Sequence, residues 1–182
     1  MNRNIKISPA ADANYGWGCR VLIFGYLEII EGLPPAFKNG YAKFNGVEME
    51  GCGQYDTTYA GLRIEDVGSD SNSPNEIITE ITSSSIHGCY GFCMFIDDIA
   101  NVSITNNIFH DGRKFTVYVE DVESDYTFEN NVLIGTRKRD EVSFSASGLV
   151  DDTAAYEQYI PISFEKDHRI SVSNNLVQGS EG

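Results

Sequence analysis

The segments VSITNNIFHDG (102–112) and YTFENNVLIG (126–135) are two copies of one pattern, in which alternating apolar and polar residues lead into an Asn-Asn pair and a second short apolar segment. EITSSSIHG (80–88) and ISVSNNLVQG (170–179) repeat the pattern, and FNGVEMEG (44–51) is a degenerate copy. The aligned polar residues lie at steps of 23, 24 and 44 residues, and the last step is close to two periods. These aligned residues are Ser83, Asn106, Asn130 and Asn174.

A second series of apolar segments lies between these copies and has the same period. Its steps are 32, 23 and 45 residues, and the step of 32 contains the polar insertion GSDSNSPNE (68–76). Chance agreement between two interleaved series is improbable, so the repeat is a property of the fold. The segments are GLRIEDV (61–67), CMFIDDI (93–99), TVYVEDV (116–122) and PISFEKD (161–167), aligned on Ile64, Ile96, Val119 and Phe164.

Short alternating segments at this period predict an all-β fold, a right-handed parallel β-helix (solenoid) of about five to seven coils. No helical periodicity lies between the segments, which excludes βαβ units. One coil cannot bury its inner face alone. Stacking solves this, because each strand then pairs in parallel with its copy about 4.8 Å away.

The Asn pairs fit sharp turns between strands. Asn tolerates the left-handed backbone conformation of such turns. Its side-chain amides can also hydrogen-bond in a ladder when they are stacked at one corner. We therefore expect Asn106, Asn130 and Asn174 to be turn residues and their neighbours Asn107, Asn131 and Asn175 to contribute to the ladder.

The repeat predicts a single β-helix domain over residues 1–182. Residues 1–18 are expected to form an N-terminal cap or an incomplete coil, and residues 138–159 an irregular insertion. The sequence shows no convincing C-terminal cap, and an uncovered terminal coil invites pairing with another chain. We therefore expect the chain to be a fragment of a larger polypeptide or to assemble with other protein chains.

The charge of the chain excludes several classes of function. It has 182 residues with 13 basic and 27 acidic side chains, for a net charge of −14. This excess argues against nucleic-acid binding, which needs clustered Lys and Arg, and against anionic membrane surfaces. No apolar run approaches the roughly 20 residues of a membrane span, so membrane insertion is not expected. The N-terminus also lacks the apolar segment of a signal peptide.

The second series carries a column of acidic residues: Glu65, Asp97, Glu120 and Glu165. Like charges in register repel each other. Three explanations remain open: a solvated acidic corner, a Ca²⁺ site built from Glu65, Asp97 and Glu120, or a carboxylate pair that acts on a polysaccharide.

His87 and His110 occupy the same repeat position, so they should stack on adjacent coils and point outward. Such a pair could bind a metal or flank a glycan, and it could equally be a pair of exposed turn-proximal rings.

The four cysteines match no zinc-binding spacing. Cys52 and Cys89 each lie three residues after an aligned apolar residue, Met49 or Ile86. The same position on adjacent coils predicts a Cys52–Cys89 disulfide, with buried free thiols as the alternative. A disulfide would imply an extracytosolic compartment.

Residues 16–137 resemble the parallel β-helix region of fibrocystin-like receptors and of the related cell-surface hyaluronidase family. Family members are extracellular, and some bind or cleave hyaluronan. The resemblance implies an extracellular or surface location and points to His87, Glu120 and Asp121 as catalytic candidates. The matching motifs are Gly18 to Val21, Val47 to Met49, Gly53-Gln54, Ser85-Ile86-His87, Asn106-Asn107 and Gly112 through Asp121.

Two departures weaken the catalytic interpretation. The Gly-His of the family is replaced by Gly112-Arg113, and Val122 stands where the family has Gly. We therefore favour a non-catalytic module for adhesion, glycan binding or structural assembly. The alternative is a polysaccharide lyase or hydrolase that acts with or without Ca²⁺ as a cofactor. An anionic ligand would fit the basic edge formed by Arg113, Lys114, Arg137, Lys138 and Arg139.

Overall fold

The computed structural model describes residues 5–10, 17–54, 59–67, 79–112, 116–136, 162–165 and 170–180. The strands in these residues are β1 (Ile5–Ile7), β2 (Val21–Glu28), β3 (Ala36–Asn39), β4 (Lys43–Asn45), β5 (Val47–Glu50), β6 (Leu62–Val67), β7 (Thr79–Thr82), β8 (Ser85–His87), β9 (Met94–Thr105), β10 (Ile108–His110), β11 (Val117–Glu129), β12 (Val132–Thr136), β13 (Ile162–Glu165), β14 (Ile170–Ser173) and β15 (Leu176–Ser180).

The strands form three parallel stacks that the chain visits in turn. The first stack contains β4, β7, the second half of β9, the second half of β11, and β14. The second stack contains β1, β5, β8, β10, β12 and β15. The third stack contains β2, β6, the first half of β9, the first half of β11, and β13. All pairs within these stacks are parallel, as the repeat predicts.

The aligned apolar residues form continuous inner columns. Ile81 pairs with Ile104, Ile104 with Phe128, and Phe128 with Val172. In the third stack, Ile64, Ile96, Val119 and Phe164 pair in the same way. Val172 is 48% exposed, and each buried Ile or Leu contributes about 1.5–3 kcal/mol. The fully buried members of the columns are Ile64, Ile81, Ile96, Ile104, Val119 and Phe128. The all-β fold and both sets of alignments are therefore confirmed.

The corner between the first and second stacks is held by the predicted Asn ladder. Ser83, Asn106, Asn130 and Asn174 have φ between 52° and 59°, in the left-handed region. The next residue of each pair points inward: the backbone N–H of Asn107 donates to Asn131 Oδ1 at 3.0 Å. Asn131 Nδ2 in turn donates to Asn175 Oδ1 at 3.2 Å. Because the same amides also bond the backbone, the ladder fixes the register of the stacks.

We predict that Asn131→Ala destabilises the protein by about 2–4 kcal/mol, because it leaves the buried Asn107 N–H and Ile104 carbonyl without their partners. The measurement is the free energy of unfolding in urea. Ser171→Ala removes an exposed hydroxyl that donates to Glu129, and it should cost less than about 0.5 kcal/mol. Equal decreases in the free energy of unfolding for the two variants would show that the ladder is not a major source of stability.

The N-terminal region departs from the wholly parallel prediction. Only the first four residues of β2 pair with β6, while Gly25 through Glu28 pair antiparallel with β3. The backbone N–H of Gly40 closes this hairpin on the Phe24 carbonyl at 2.9 Å. Within residues 1–18, β1 is the first strand of the second stack. The predicted insertion at 138–159 lies outside the described residues.

The predicted Cys52–Cys89 disulfide is wrong, because the structure pairs Cys19 with Cys52 and Cys89 with Cys93. Cys52 and Cys89 do lie on adjacent passes, since Met49 pairs with Ile86. Cys19, however, is bridged in parallel to Cys52 from the other side, with the Cα atoms 4.4 Å apart. Cys89 meets Cys93 within its own turn, with the Cα atoms 5.3 Å apart.

We predict that non-reducing tryptic mapping by mass spectrometry recovers residues 7–20 linked to residues 44–63. Residues 64–113, which contain Cys89 and Cys93, should appear as one internally bridged peptide. A link between the peptides 44–63 and 64–113 would instead restore the Cys52–Cys89 pairing. The reduced sample supplies the control for the unlinked masses.

Candidate functional site

The outer face of the third stack carries the acidic column. Because side chains alternate along a strand, the inward Ile64, Ile96 and Val119 place the following residue on the outside. Glu65 pairs with Asp97, Asp97 with Glu120, and the backbone of Glu120 with that of Glu165. The register of the predicted acidic column is therefore confirmed.

A second row of side chains lies beside the column, two residues earlier on each strand. Arg63 pairs with Phe95, and Phe95 with Tyr118. The Arg63 guanidinium carbon lies 4.7 Å from the Phe95 ring centroid, and the Phe95 and Tyr118 rings stack at 5.2 Å. Phe92 meets the Phe95 ring edge-on at 5.7 Å. The row is thus a cation–π and ring stack packed on the outside of the sheet.

The two rows hold each other in place. Arg63 Nε forms an ion pair with Glu65 on the same strand. The Tyr118 hydroxyl donates to Glu120 Oε2 at 3.5 Å. One cation and one hydroxyl therefore offset part of the repulsion between the aligned carboxylates. We call these six residues the ring-and-carboxylate face: Arg63, Phe95, Tyr118, Glu65, Asp97 and Glu120.

The residues predicted to hold Ca²⁺ do not converge. Within the described ranges, no three His, Cys, Asp or Glu side chains form a group that could hold a metal ion. The contacts above give a physical reason, because Arg63 binds Glu65 and Tyr118 binds Glu120. The neighbouring Asp66 and Asp98 are exposed, with φ of 53° and 47°. Each interrupts the pairing of β6 with β9 at its position, and Asp tolerates the left-handed region.

The predicted histidine stack is confirmed, and it lies on the outer face of the second stack. The His87 and His110 rings are parallel, with centroids 4.5 Å apart. His87 Nε2 lies 3.2 Å from Glu48 Oε1. Lys6 pairs with Glu48 and Glu50, and its hydrogen bond lowers the pKa of Glu50. The histidines are therefore part of a mixed-charge surface.

The structure does not bring together the three catalytic candidates. His87 lies in the second stack, whereas Glu120 lies on the outer face of the third. Asp121 follows Glu120 in the backbone of β11. Arg113, Lys114, Arg137, Lys138 and Arg139 lie outside the described residues, so the basic edge stays a prediction.

Arg63, Phe95 and Tyr118 were not singled out from the sequence. The signal was present, because each lies two residues before a member of the acidic column and therefore on the same face. The repeat alignment drew attention to the acidic residues because they share one chemical type. The neighbouring row consists of one cation and two aromatic residues. Its members share a repeat position but not a residue type, so the alignment did not indicate them.

The three stacks of short parallel strands and their buried Asn ladder define a β-helix module. The family model described as CEMIP beta-helix matches residues 36–177, more than three quarters of the chain. The chain belongs to this family, and the resemblance to the cell-surface hyaluronidase β-helix region is confirmed. No curated protein and no solved structure matches the chain. In the part of the chain that the structure describes, no helix has the length and apolar character to cross a membrane.

We predict that a double-mutant cycle with Arg63→Met and Glu65→Gln gives a coupling energy of about 1 kcal/mol, because both side chains are largely buried. The same cycle with Lys38→Met and Glu28→Gln is the control, since that pair is more exposed. Its coupling should stay below about 0.5 kcal/mol. Unfolding free energies supply both values, and equal couplings would contradict the idea that Arg63 specifically balances the face.

Proposed function

We propose that this chain is a non-catalytic β-helix module of an extracellular or surface protein, and that it binds neutral glycans on the ring-and-carboxylate face. The module is proposed to be a right-handed solenoid of about five to seven coils. Two disulfides support an oxidising compartment, since such bonds persist mainly outside the cytosol.

One observation carries the proposal: a row of rings and a row of carboxylates lie side by side on the outer face of the third stack, with Phe95 buried and Tyr118 partly exposed. Tyr118 is partly exposed and stacked on Phe95, so its ring is held rigid at little entropic cost. Glu65, Asp97 and Glu120 are each partly exposed beside the rings, and carboxylate oxygens accept hydrogen bonds from sugar hydroxyls. Strands spaced about 4.8 Å apart repeat these groups at the scale of a sugar ring.

Charge selects the class of glycan. The three carboxylates face one cation in this cluster, Arg63, and that cation is already paired with Glu65. A polyanionic chain would be repelled by the remaining acidic charge, whereas neutral sugars would not. Neutral polysaccharides are therefore the better match.

Catalysis is the second candidate function, and the carboxylate register is the observation that favours it. Glycoside hydrolysis needs two carboxyl groups on either side of the scissile bond. Asp97 lies next to both Glu65 and Glu120 on adjacent strands. Against this, Arg63 and Tyr118 hold two of the carboxylates, and His87 lies on a different stack.

The test is a panel of neutral and anionic polysaccharides, measured for binding and for chain length, with and without Ca²⁺. We expect neutral chains to bind without shortening. Glu120→Gln and Tyr118→Ala should each weaken binding about tenfold, because each removes one well-placed contact.

Glu129→Gln is the matched control, because Glu129 is a half-buried carboxylate like Glu120 but lies on the first stack. It should bind like the wild type. Shortening of a glycan that Glu120→Gln abolishes would show that the module is an enzyme. A folded protein that binds no member of the panel would contradict glycan binding altogether.

A further inference from the structure

Both rows of the ring-and-carboxylate face continue onto β2, the next strand of the third stack. Leu22 pairs in parallel with Arg63, and Phe24 pairs with Glu65. Side chains alternate along a strand, and Ile23 between the two residues is buried in the core. Leu22 therefore extends the row that contains Arg63, and Phe24 extends the acidic column on the outer face. We call Leu22 and Phe24 the β2 platform.

The chemistry of the face changes from polar to apolar at this strand. Leu22 is 46% exposed and Phe24 is 48% exposed, whereas Phe95 within the face is 6% exposed. The acidic column is continued by an aromatic ring at Phe24, where a further carboxylate would add to the repulsion. The Tyr26 ring lies 6.3 Å from the Phe24 ring and is tilted by 43°, so the two rings are not stacked face to face. The β2 platform is thus an exposed apolar surface at one end of a polar face.

An apolar surface beside hydrogen-bonding groups matches the two kinds of surface on a sugar. Hydroxyl groups lie around the edge of a hexose ring, whereas the two faces of an equatorially substituted ring carry only C–H groups. Carboxylates accept hydrogen bonds from the hydroxyls, and an exposed aromatic ring packs against the C–H face. Exposed apolar patches rimmed by polar groups are typical of ligand-binding grooves. A chain held by the carboxylates of β6, β9 and β11 would therefore place its next sugar on the β2 platform.

The spacing of the strands determines the length and shape of a chain that fits the face. The strands β11, β9, β6 and β2 are consecutive in the third stack. At about 4.8 Å for each step they span about 14 Å, and one sugar for each strand gives about four sugars. Because the rows cross the strands directly, the chain must be extended. Hexoses joined by equatorial β-linkages form extended chains of this kind.

We propose that Leu22 and Phe24 form an apolar subsite at one end of the ring-and-carboxylate face, and that the face takes an extended, neutral, β-linked hexose chain of about four sugars. This subsite rests on the glycan binding proposed above and adds the length and linkage class of the glycan. The family model matches residues 36–177, so the β2 platform lies outside the matched residues.

Isothermal titration calorimetry with β-1,4-linked glucose and mannose oligosaccharides of two to six sugars tests the proposal. Wild-type affinity should rise with length and level off at about four sugars, when every strand position is filled. Phe24→Ala should weaken tetrasaccharide binding about fivefold or more, because it removes the ring beneath the terminal sugar. Trisaccharide binding should change less than about twofold, because three sugars fit on β6, β9 and β11 without the platform.

Two further variants show whether the ring of Phe24 is responsible. Phe24→Trp retains an aromatic ring and should bind the tetrasaccharide at least as tightly as the wild type. Phe37→Ala is the matched control, because Phe37 is 50% exposed but pairs with Leu27 and therefore lies on the opposite face of the hairpin. It should bind like the wild type. Leu22→Ser supplies a second platform variant if Phe24→Ala does not fold, and circular dichroism checks the folding of each protein.

The outcomes separate the subsite from glycan binding itself. A tetrasaccharide that binds the platform variants as tightly as the wild type would overturn the subsite and leave glycan binding intact. Wild-type protein that binds neutral polysaccharides but none of these oligosaccharides would overturn the proposed length and linkage class. Wild-type protein that binds neither would contradict glycan binding, and the subsite with it.

Discussion

The buried Asn ladder connects backbone conformation, strand register and core packing in one set of hydrogen bonds. A left-handed residue turns each pass of the chain at the corner between the first and second stacks. On three passes the following residue is Asn107, Asn131 or Asn175, and its amide meets the amide of the next pass. A shift of one residue would leave these buried amides unpaired and would turn each inner column outward. The ladder therefore penalises every alternative register of the stacks.

The same register determines which side chains become neighbours on the outer faces of the stacks. His87 lies against His110, and Glu65 is in register with Asp97, because the register of the strands that carry them is fixed. Groups that are far apart in sequence thus become neighbours at the strand spacing of about 4.8 Å. A solenoid can assemble a functional surface from side chains that contribute little to its core. The outer faces of the second and third stacks differ in chemistry: the second carries the histidine stack, and the third carries the ring-and-carboxylate face.

Sequence reasoning predicted the stacks, the Asn ladder, the acidic column and the histidine stack, because each repeats at the period of the fold. It failed where a feature occurs once. Cys19 belongs to no repeat copy, so its bridge to Cys52 had no signal in the alignment. The antiparallel β2–β3 hairpin also lies in a stretch without an Asn-Asn copy. The row of Arg63, Phe95 and Tyr118 was missed for a different reason, since its members share a position but not a chemical type.

Arg63 connects the two rows of the ring-and-carboxylate face and offsets part of the repulsion within the acidic column. Its guanidinium stacks on Phe95 and pairs with Glu65, so one side chain joins the two rows of the face. The Glu65 carboxylate can still accept hydrogen bonds from sugar hydroxyls, since each carboxylate oxygen has more than one lone pair. The contact that stabilises the acidic column therefore leaves Glu65 able to contribute to the proposed glycan binding.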